Sequence, residues 1–197
     1  MEYCYDCSRH PRSFTCGMAL LNYNQAARDS MAAIKYKNRR EYLDFYAAAM
    51  AARMTRRIRS WQAAALVPVP IHPARRRKRG YNQAEELARR LSRYWGIPVD
   101  NRLLVRTKKT MPQRTLNPSE RLKNLQEAFE VDPGRGGSVD GRADRGDTSA
   151  SASVPESVIL VDDIYTTGST VEACTRVLKA AGVRRVYFVT VCVGRGR

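Results

Sequence analysis

The sequence predicts an α/β domain built on a parallel sheet, and three observations carry that prediction. Short strands rich in Val and Ile alternate with longer segments whose apolar residues recur at helical spacing. The 197 residues suffice for one substantial core with a small appendage. An acidic pair, Asp162-Asp163, stands where an apolar strand runs into a Thr- and Gly-rich turn, and open α/β sheets bind their ligands at such strand ends.

Taken in order, residues 22–58 are rich in Ala, Met, Arg and Tyr and read as two helices, broken at Lys37-Asn38-Arg39. Ala65 to Pro70 gives a short buried strand that ends at proline. Asn82 to Trp95 is helical and stops at Gly96, with Pro98 just beyond. Val99 to Val105 is the next expected strand, and Ser119 to Ala128 a short helix capped by Ser119 or Asn117. Residues 132–156 hold five of the chain's 12 glycines and almost no large apolar side chain. Such a segment buries too little surface to offset its ordering entropy, so a disordered surface insertion is expected there. Strand Ser157–Val161, helix Thr170–Ala181 and strand Arg185–Val193 follow. The expected organisation is a partial Cys knuckle (1–21), a helical segment packing on the core (22–62), and the main domain (63–197) carrying the insertion.

A composition of 43% hydrophobic and 27% charged residues is that of an ordinary soluble globular protein. The longest apolar run, Val186 to Val193, is too short to span a bilayer. Glu2 and a Cys pair stand where a signal peptide needs a basic patch and an apolar stretch. The expectation is a cytoplasmic protein without a membrane span. The net charge is +16, and residues 66–131 alone contribute +9, with 15 Lys and Arg against 6 acids. A folded domain this basic attracts polyanions such as nucleic acid, anionic lipid or phosphorylated metabolites, although part of the charge is ordinary solvated surface.

The stretch Val158-Ile159-Leu160-Val161-Asp162-Asp163-Ile164-Tyr165-Thr166-Thr167-Gly168-Ser169-Thr170 is the most specific in the chain. A buried strand delivers two carboxylates to its C-terminal end, and a hydroxyl-rich turn then opens a helix. The backbone N–H groups of Thr166, Thr167, Gly168, Ser169 and Thr170, their hydroxyls and the helix N-terminus make a cup for one phosphate. Carboxylates beside such a cup suit a sugar phosphate: they accept hydrogen bonds from ribose hydroxyls and hold Mg2+ through water. No Gly-x-x-x-x-Gly-Lys phosphate loop is present.

This stretch resembles the 5-phosphoribosyl 1-diphosphate (PRPP) motif of type I phosphoribosyltransferases over all 13 residues. Further residues narrow the likeness. Val67-Pro68-Val69-Pro70-Ile71-His72-Pro73, Arg75 and Arg79-Gly80-Tyr81-Asn82-Gln83 resemble the signature of the ComF family, the competence and gluconate-utilisation type. Arg106, Gln113, Leu116, Arg121, Asn124 and Phe129 fit the same pattern, as does the dipeptide Lys35-Tyr36, for which the sequence offers no physical role.

The resemblance implies the type I phosphoribosyltransferase fold, with PRPP or a related phosphoribosyl ligand and Mg2+ as its ligands. Asp162 and Asp163 would be the catalytic carboxylates and Thr166 to Thr170 the 5-phosphate loop. Pro70, Ile71, His72, Arg75 and Arg79 would meet the diphosphate, against the alternative that these arginines are plain surface. Lys108, Lys109, Gln113 and Arg121 fall in a stretch broken by Pro112 and Pro118 that would act as a lid. A transferase would displace diphosphate from the anomeric carbon. The alternative function is a non-catalytic factor handling single-stranded DNA, alone or with competence proteins, a link implied by the resemblance and not by the residues. The acceptor is left open, because variable loops build that pocket and fold does not fix function.

Cys4-x-x-Cys7 supplies two of the four ligands a structural zinc needs. ComF relatives often carry two such pairs, and this chain has one. His10 and Cys16 could complete a Cys3His set with irregular spacing; a metal shared across a dimer, a redox pair or a remnant are the alternatives. Cys174 and Cys192 read as small core residues.

Overall fold

A computed structural model describes residues 12–107, 125–132 and 154–194. Its centre is a four-stranded, all-parallel sheet of β1 (Cys16–Asn22), β2 (Ala65–Pro68), β5 (Ser157–Tyr165) and β6 (Arg185–Val193), in the order β1-β6-β5-β2. Between β1 and β2 run helices α1 (Gln25–Lys37) and α2 (Tyr42–Trp61). Two more, α3 (Pro73–Arg79) and α4 (Gln83–Trp95), follow β2, and α5 (Ser169–Ala180) links β5 to β6. A separate two-stranded antiparallel ribbon joins β3 (Leu104–Arg106) to β4 (Phe129–Val131).

The sheet is covered on both faces, which explains why its central strands are apolar throughout rather than alternating. In β5, Ile159 and Val161 meet α1, α2 and α4, while Val158 and Leu160 meet α5 and the ribbon. In β6, Tyr187, Val189 and Val191 take the first face and Val186 and Phe188 the second. Helix α2 buries one stripe, Leu43, Tyr46, Ala47, Met50, Met54, Ile58 and Trp61, at intervals of three and four residues. Each fully buried Leu, Met or Ile of this stripe contributes about 1.5–3 kcal/mol relative to exposure. Trp61 ends the stripe stacked on Tyr187, with ring centroids 4.5 Å apart.

The helix ends follow their caps. Asn24 and Asn82 accept hydrogen bonds from the first-turn N–H groups of Ala27 and Ala84, and Asn38 and Gly96 close the C-termini in the left-handed conformation. The break expected at Lys37-Asn38-Arg39 is therefore the Asn38 cap.

Two elements differ from expectation. The first is β1, where the sequence suggests no strand: Cys16-Gly17-Met18-Ala19-Leu20-Leu21 is made of helix formers and glycine, without a β-branched residue. Pairing with β6 overrides propensity, with Cys16 opposite Tyr187 and Asn22 opposite Val193. Gly17 is required here, because a Cβ would collide with the Phe188 ring. The second is the strand expected over Val99–Val105, which is divided. Val99 makes an isolated parallel bridge to Leu66 at the sheet edge. Asp100 Oδ1 then accepts from the N–H groups of Arg102 and Leu103 in a side-chain turn, and this diverts Leu104–Arg106 into the ribbon. Among the described residues no helix is long and apolar enough to cross a membrane.

Candidate functional site

The C-terminal ends of β2 and β5 lie side by side, since Pro68 pairs with Val161 and the Val69 N–H donates to the Val161 carbonyl at 2.9 Å. Whatever follows these strands is therefore brought together: loop 70–72 after β2, and the acidic pair and turn 166–168 after β5.

Strand alternation sends the two carboxylates to different sides. Asp163 is buried on the side of α1 and α4, where Lys35 forms an ion pair with its Oδ2 and Gln83 Nε2 donates to its Oδ1 at 3.1 Å. Asp162 remains partly exposed, and its Oδ1 accepts from the Asp163 N–H at 2.8 Å. The electrostatics differ accordingly. Burial and the Asp163 charge push the Asp162 carboxyl well above its ordinary range. Burial also acts against the charge of Asp163, but the Lys35 ammonium and the Gln83 amide outweigh it and hold that carboxyl below its usual value.

Gly168 opens α5 at φ +74°, and no side chain caps the helix. Thr167 and Ser169 hydroxyls share a 2.9 Å hydrogen bond, and both threonines of the turn, Thr166 and Thr167, are exposed. The turn is held from behind. Tyr165 packs over Gly168 and stacks on Phe188, centroids 4.9 Å apart.

A strap from the N-terminal side completes the support, and nothing in the sequence reading anticipates it. Arg12 Nη2 donates to the Thr167 carbonyl at 3.0 Å. The Ser13 N–H and hydroxyl donate to the two carboxylate oxygens of Glu172, at 2.8 and 2.7 Å, and Arg176 Nε donates to the same carboxylate. Burial raises the Glu172 carboxyl, but the Ser13 and Arg176 contacts outweigh burial and leave it below the ordinary glutamate range. The stability it contributes is therefore full above that range and lost as pH falls through the depressed folded value. Glu172→Gln is expected to flatten the loss of stability below about pH 4, measured as thermal midpoints of the two proteins across pH.

On the β2 side, His72 caps α3 by accepting from the Ala74 N–H through Nδ1, and Asn82 Nδ2 donates to the Val69 carbonyl, fixing where the loop leaves the sheet. The basic run of α3 is not uniform. Arg79 hydrogen-bonds Gln83, the residue that holds Asp163, and Arg76 pairs with Glu85 at 3.3 Å. Arg75 is exposed and close enough to Arg106, on β3, that burial and then the Arg75 charge lower the Arg106 pKa. A cleft of about 530 Å³ lies between α1 and α3, lined by Lys35, Tyr36, Asn38, Arg75, Lys78, Arg79 and Tyr81. Tyr36 there is 80% exposed, with the Arg79 guanidinium 5.9 Å from its ring centroid.

The geometry thus gathers Asp162, Asp163, Thr166 to Thr170, Pro70, Ile71 and His72 at adjacent strand ends, with Arg75 and Arg79 on the helix that follows. Lys35, Gln83, Arg12, Ser13 and Glu172 join them without having been singled out for a role. The Lys35-Tyr36 dipeptide was the available signal, since both residues turn out to line the cleft. Lys108, Lys109, Gln113 and Arg121 lie outside the described residues, as do Cys4, Cys7 and His10 and residues 133–153 of the expected insertion. Cys16, the remaining candidate ligand, sits in β1 and packs against the core.

A Thr- and Gly-rich turn after a central parallel strand, with an acidic pair at its mouth, defines a class, and comparison with known proteins bears on it directly. Residues 77–197 match the family model described as the phosphoribosyl transferase domain. Competence protein F of Haemophilus influenzae is 35% identical over 122 residues, covering 62% of this chain and 47% of the relative. DNA utilization protein YhgH of Escherichia coli K12 is 31% identical over 127 residues, 64% of this chain and 48% of that protein. Competence protein ComFC of Streptococcus pneumoniae is 26% identical over 172 residues, 85% of this chain and 64% of the relative. The chain belongs to the phosphoribosyl transferase domain family, in its ComF branch. It spans about half the length of the first two relatives.

Proposed function

We propose that the end of β5 binds PRPP or a closely related phosphoribosyl ligand with Mg2+, in a geometry suited to transfer of the phosphoribosyl group. The observation that carries this reading is the continuous arrangement of Asp162, the 166–168 turn and the uncapped N-terminus of α5 beside loop 70–72. The turn would take the 5-phosphate on backbone N–H groups and hydroxyls. Asp162, the partly exposed carboxylate, would accept from the ribose hydroxyls. Arg75 and Arg106 would face the diphosphate.

Among the described residues no three His, Cys, Asp or Glu side chains converge to cage a metal. The oxygen donors fit Mg2+ that arrives on the diphosphate, since this ion is commonly held by one or two carboxylates plus substrate phosphates. Asp162 would hold it, directly or through water, and the ion would neutralise charge on the leaving group. In the transfer the bond between the anomeric carbon and the diphosphate oxygen breaks, and a nucleophile on the acceptor forms the new bond. Positive charge developing on the ribose is stabilised by the nearby carboxylate, and negative charge on the diphosphate by the guanidiniums.

Thermal shifts with PRPP, ribose 5-phosphate, diphosphate and polyphosphate, each with Mg2+, test the reading. PRPP should stabilise the protein more than either fragment, as a ligand held at both ends requires. Equal shifts from PRPP and polyphosphate would overturn it and favour a general polyanion surface.

The second reading is that the chain handles single-stranded DNA with competence partners. It is favoured by the basic cleft with its exposed Tyr36, which offers cations for a phosphate backbone and a stacking ring together, and by the likeness to competence protein F and DNA utilization protein YhgH. Affinity for a single strand should then fall steeply with salt, and the slope should shrink in Arg75→Ala/Lys78→Ala. A slope near zero would exclude this reading.

A further inference from the structure

We propose that the outer face of α2 is a docking surface for a second copy of this chain, the two α2 helices lying antiparallel about a twofold axis. Helix α2 buries one stripe in the core and leaves the opposite one bare. On the bare side Glu41, Phe45, Ala48, Ala52, Thr55 and Arg59 follow one another at intervals of four and three residues, the spacing of a helix–helix seam. Phe45 is 69% exposed and Tyr42 beside it 41%. Residues 45–52 hold no charged side chain, in a chain of which 27% is charged. A water-facing aromatic ring set in an uncharged strip on so charged a protein marks a place for a partner.

The flanking charges say which partner. Glu41 and Asp44 stand at the N-terminal end of the strip, and Arg53, Arg56 and Arg59 at the C-terminal end. These three arginines are exposed and pair with no acid among the described residues. Asp44, paired with Arg90, is still 63% exposed and has room for a second cation. A twofold axis between Ala48 and Ala52 sets Ala48 against the second copy's Ala52 and Phe45 against its Thr55. The same axis sets Glu41 against Arg59 and Asp44 against Arg56, and it repeats every contact in reverse. A parallel pairing would instead oppose like charges. The small alanines let the backbones approach and leave the hollow that Phe45 enters. The seam is about 27 Å long at 1.5 Å per residue. One helix pair is at the small end of specific interfaces, so a dissociation constant of about 10–100 µM is expected. None of the seam residues lines the cleft between α1 and α3, so the pairing is independent of any ligand bound there.

Sedimentation velocity of the full chain, over a concentration series spanning that constant, tests the proposal. The protein is nuclease-treated first, so that bridging by nucleic acid does not imitate association. Wild type should pass from monomer to dimer and stop there, since a twofold contact closes on itself. Phe45→Ser and Ala52→Glu should each weaken association at least tenfold. Both sites face water in the monomer, so the thermal midpoint of dilute protein should hardly move; Ala48→Glu serves if Ala52→Glu does not fold. Glu41→Arg and Arg59→Glu should each weaken the dimer, and the double variant should recover it, as antiparallel pairing alone requires. A wild type that stays monomeric throughout, or association that survives Phe45→Ser and Ala52→Glu, would overturn the proposal. A double charge swap no better than its single variants would overturn it as well.

Discussion

Gly168→Ala is expected to lower the thermal midpoint by roughly 4–12 °C and to abolish binding of any ligand held by the 166–168 turn. The backbone at this residue is left-handed, φ +74°. A Cβ in that conformation costs about 1–2 kcal/mol. It would also be driven into the Tyr165 ring, and moving the ring disturbs its stacking on Phe188. Such a pair is worth about 0.5–1.5 kcal/mol, so the total is about 2–3 kcal/mol. Because Tyr165 Oη is the atom nearest the new methyl, Tyr165→Phe should recover part of the loss in the double mutant. Thermal melts of the four proteins in the cycle check this. A Gly168→Ala protein that melts with the wild type would show that the turn has room the structure denies it.

The two members of the acidic pair should behave differently when removed. Asp163→Ala leaves the Lys35 ammonium and the Gln83 amide without their acceptor in a largely buried place. Breaking such a pair costs about 3–5 kcal/mol, and the lower figure applies because Lys35 reaches solvent. Asp162→Asn should cost little at neutral pH. Burial and the Asp163 charge already disfavour its ionised form, so an amide removes a strained charge. The sign with pH follows. The folded pKa of Asp162 lies above the unfolded one, so the stability it contributes is full below the unfolded value and is lost as pH rises through the folded one. Relative to wild type, Asp162→Asn should therefore gain stability as pH rises. Urea unfolding of both variants at two pH values separates the roles. Equal destabilisation by the two substitutions would contradict the division.

How much of this was legible in the sequence depends on how local each feature is. The 158–170 motif is a single strand–turn–helix unit, and its residues fall together by local geometry alone. The α4 and β6 boundaries were readable for the same reason: Asn82, Gly96 and the Val-rich run of β6 are local signals. β1 was not, because its residues favour helix and only pairing with the distant β6 makes it a strand. The diversion after Val99 depends on one Asp side chain, Asp100, which no periodicity reports.

The site shows the same division. Asp162 and Asp163 look equivalent as neighbours in sequence, yet strand alternation places one against Lys35 and leaves the other open. Lys35 comes from a helix 128 positions upstream of Asp163, so its role is visible only once α1 lies against β5. The Ser13–Glu172 strap is as remote, with 159 positions between its partners. The basic run 75–79 reads as one block of charge, but folding sets Arg76 on Glu85 and Arg79 on Gln83, and leaves Arg75 exposed.

Calorimetric titration of PRPP with Mg2+ into wild type and Asp162→Asn tests the central claim most directly. Asp162→Asn keeps the Lys35–Asp163 pair and is expected to fold normally, so it isolates the ligand-facing carboxylate. The prediction is micromolar binding to wild type, about −8 kcal/mol, and loss of at least tenfold in the variant. Absence of binding to folded wild type, or equal binding to both proteins, would contradict the assignment of this strand end to a phosphoribosyl ligand.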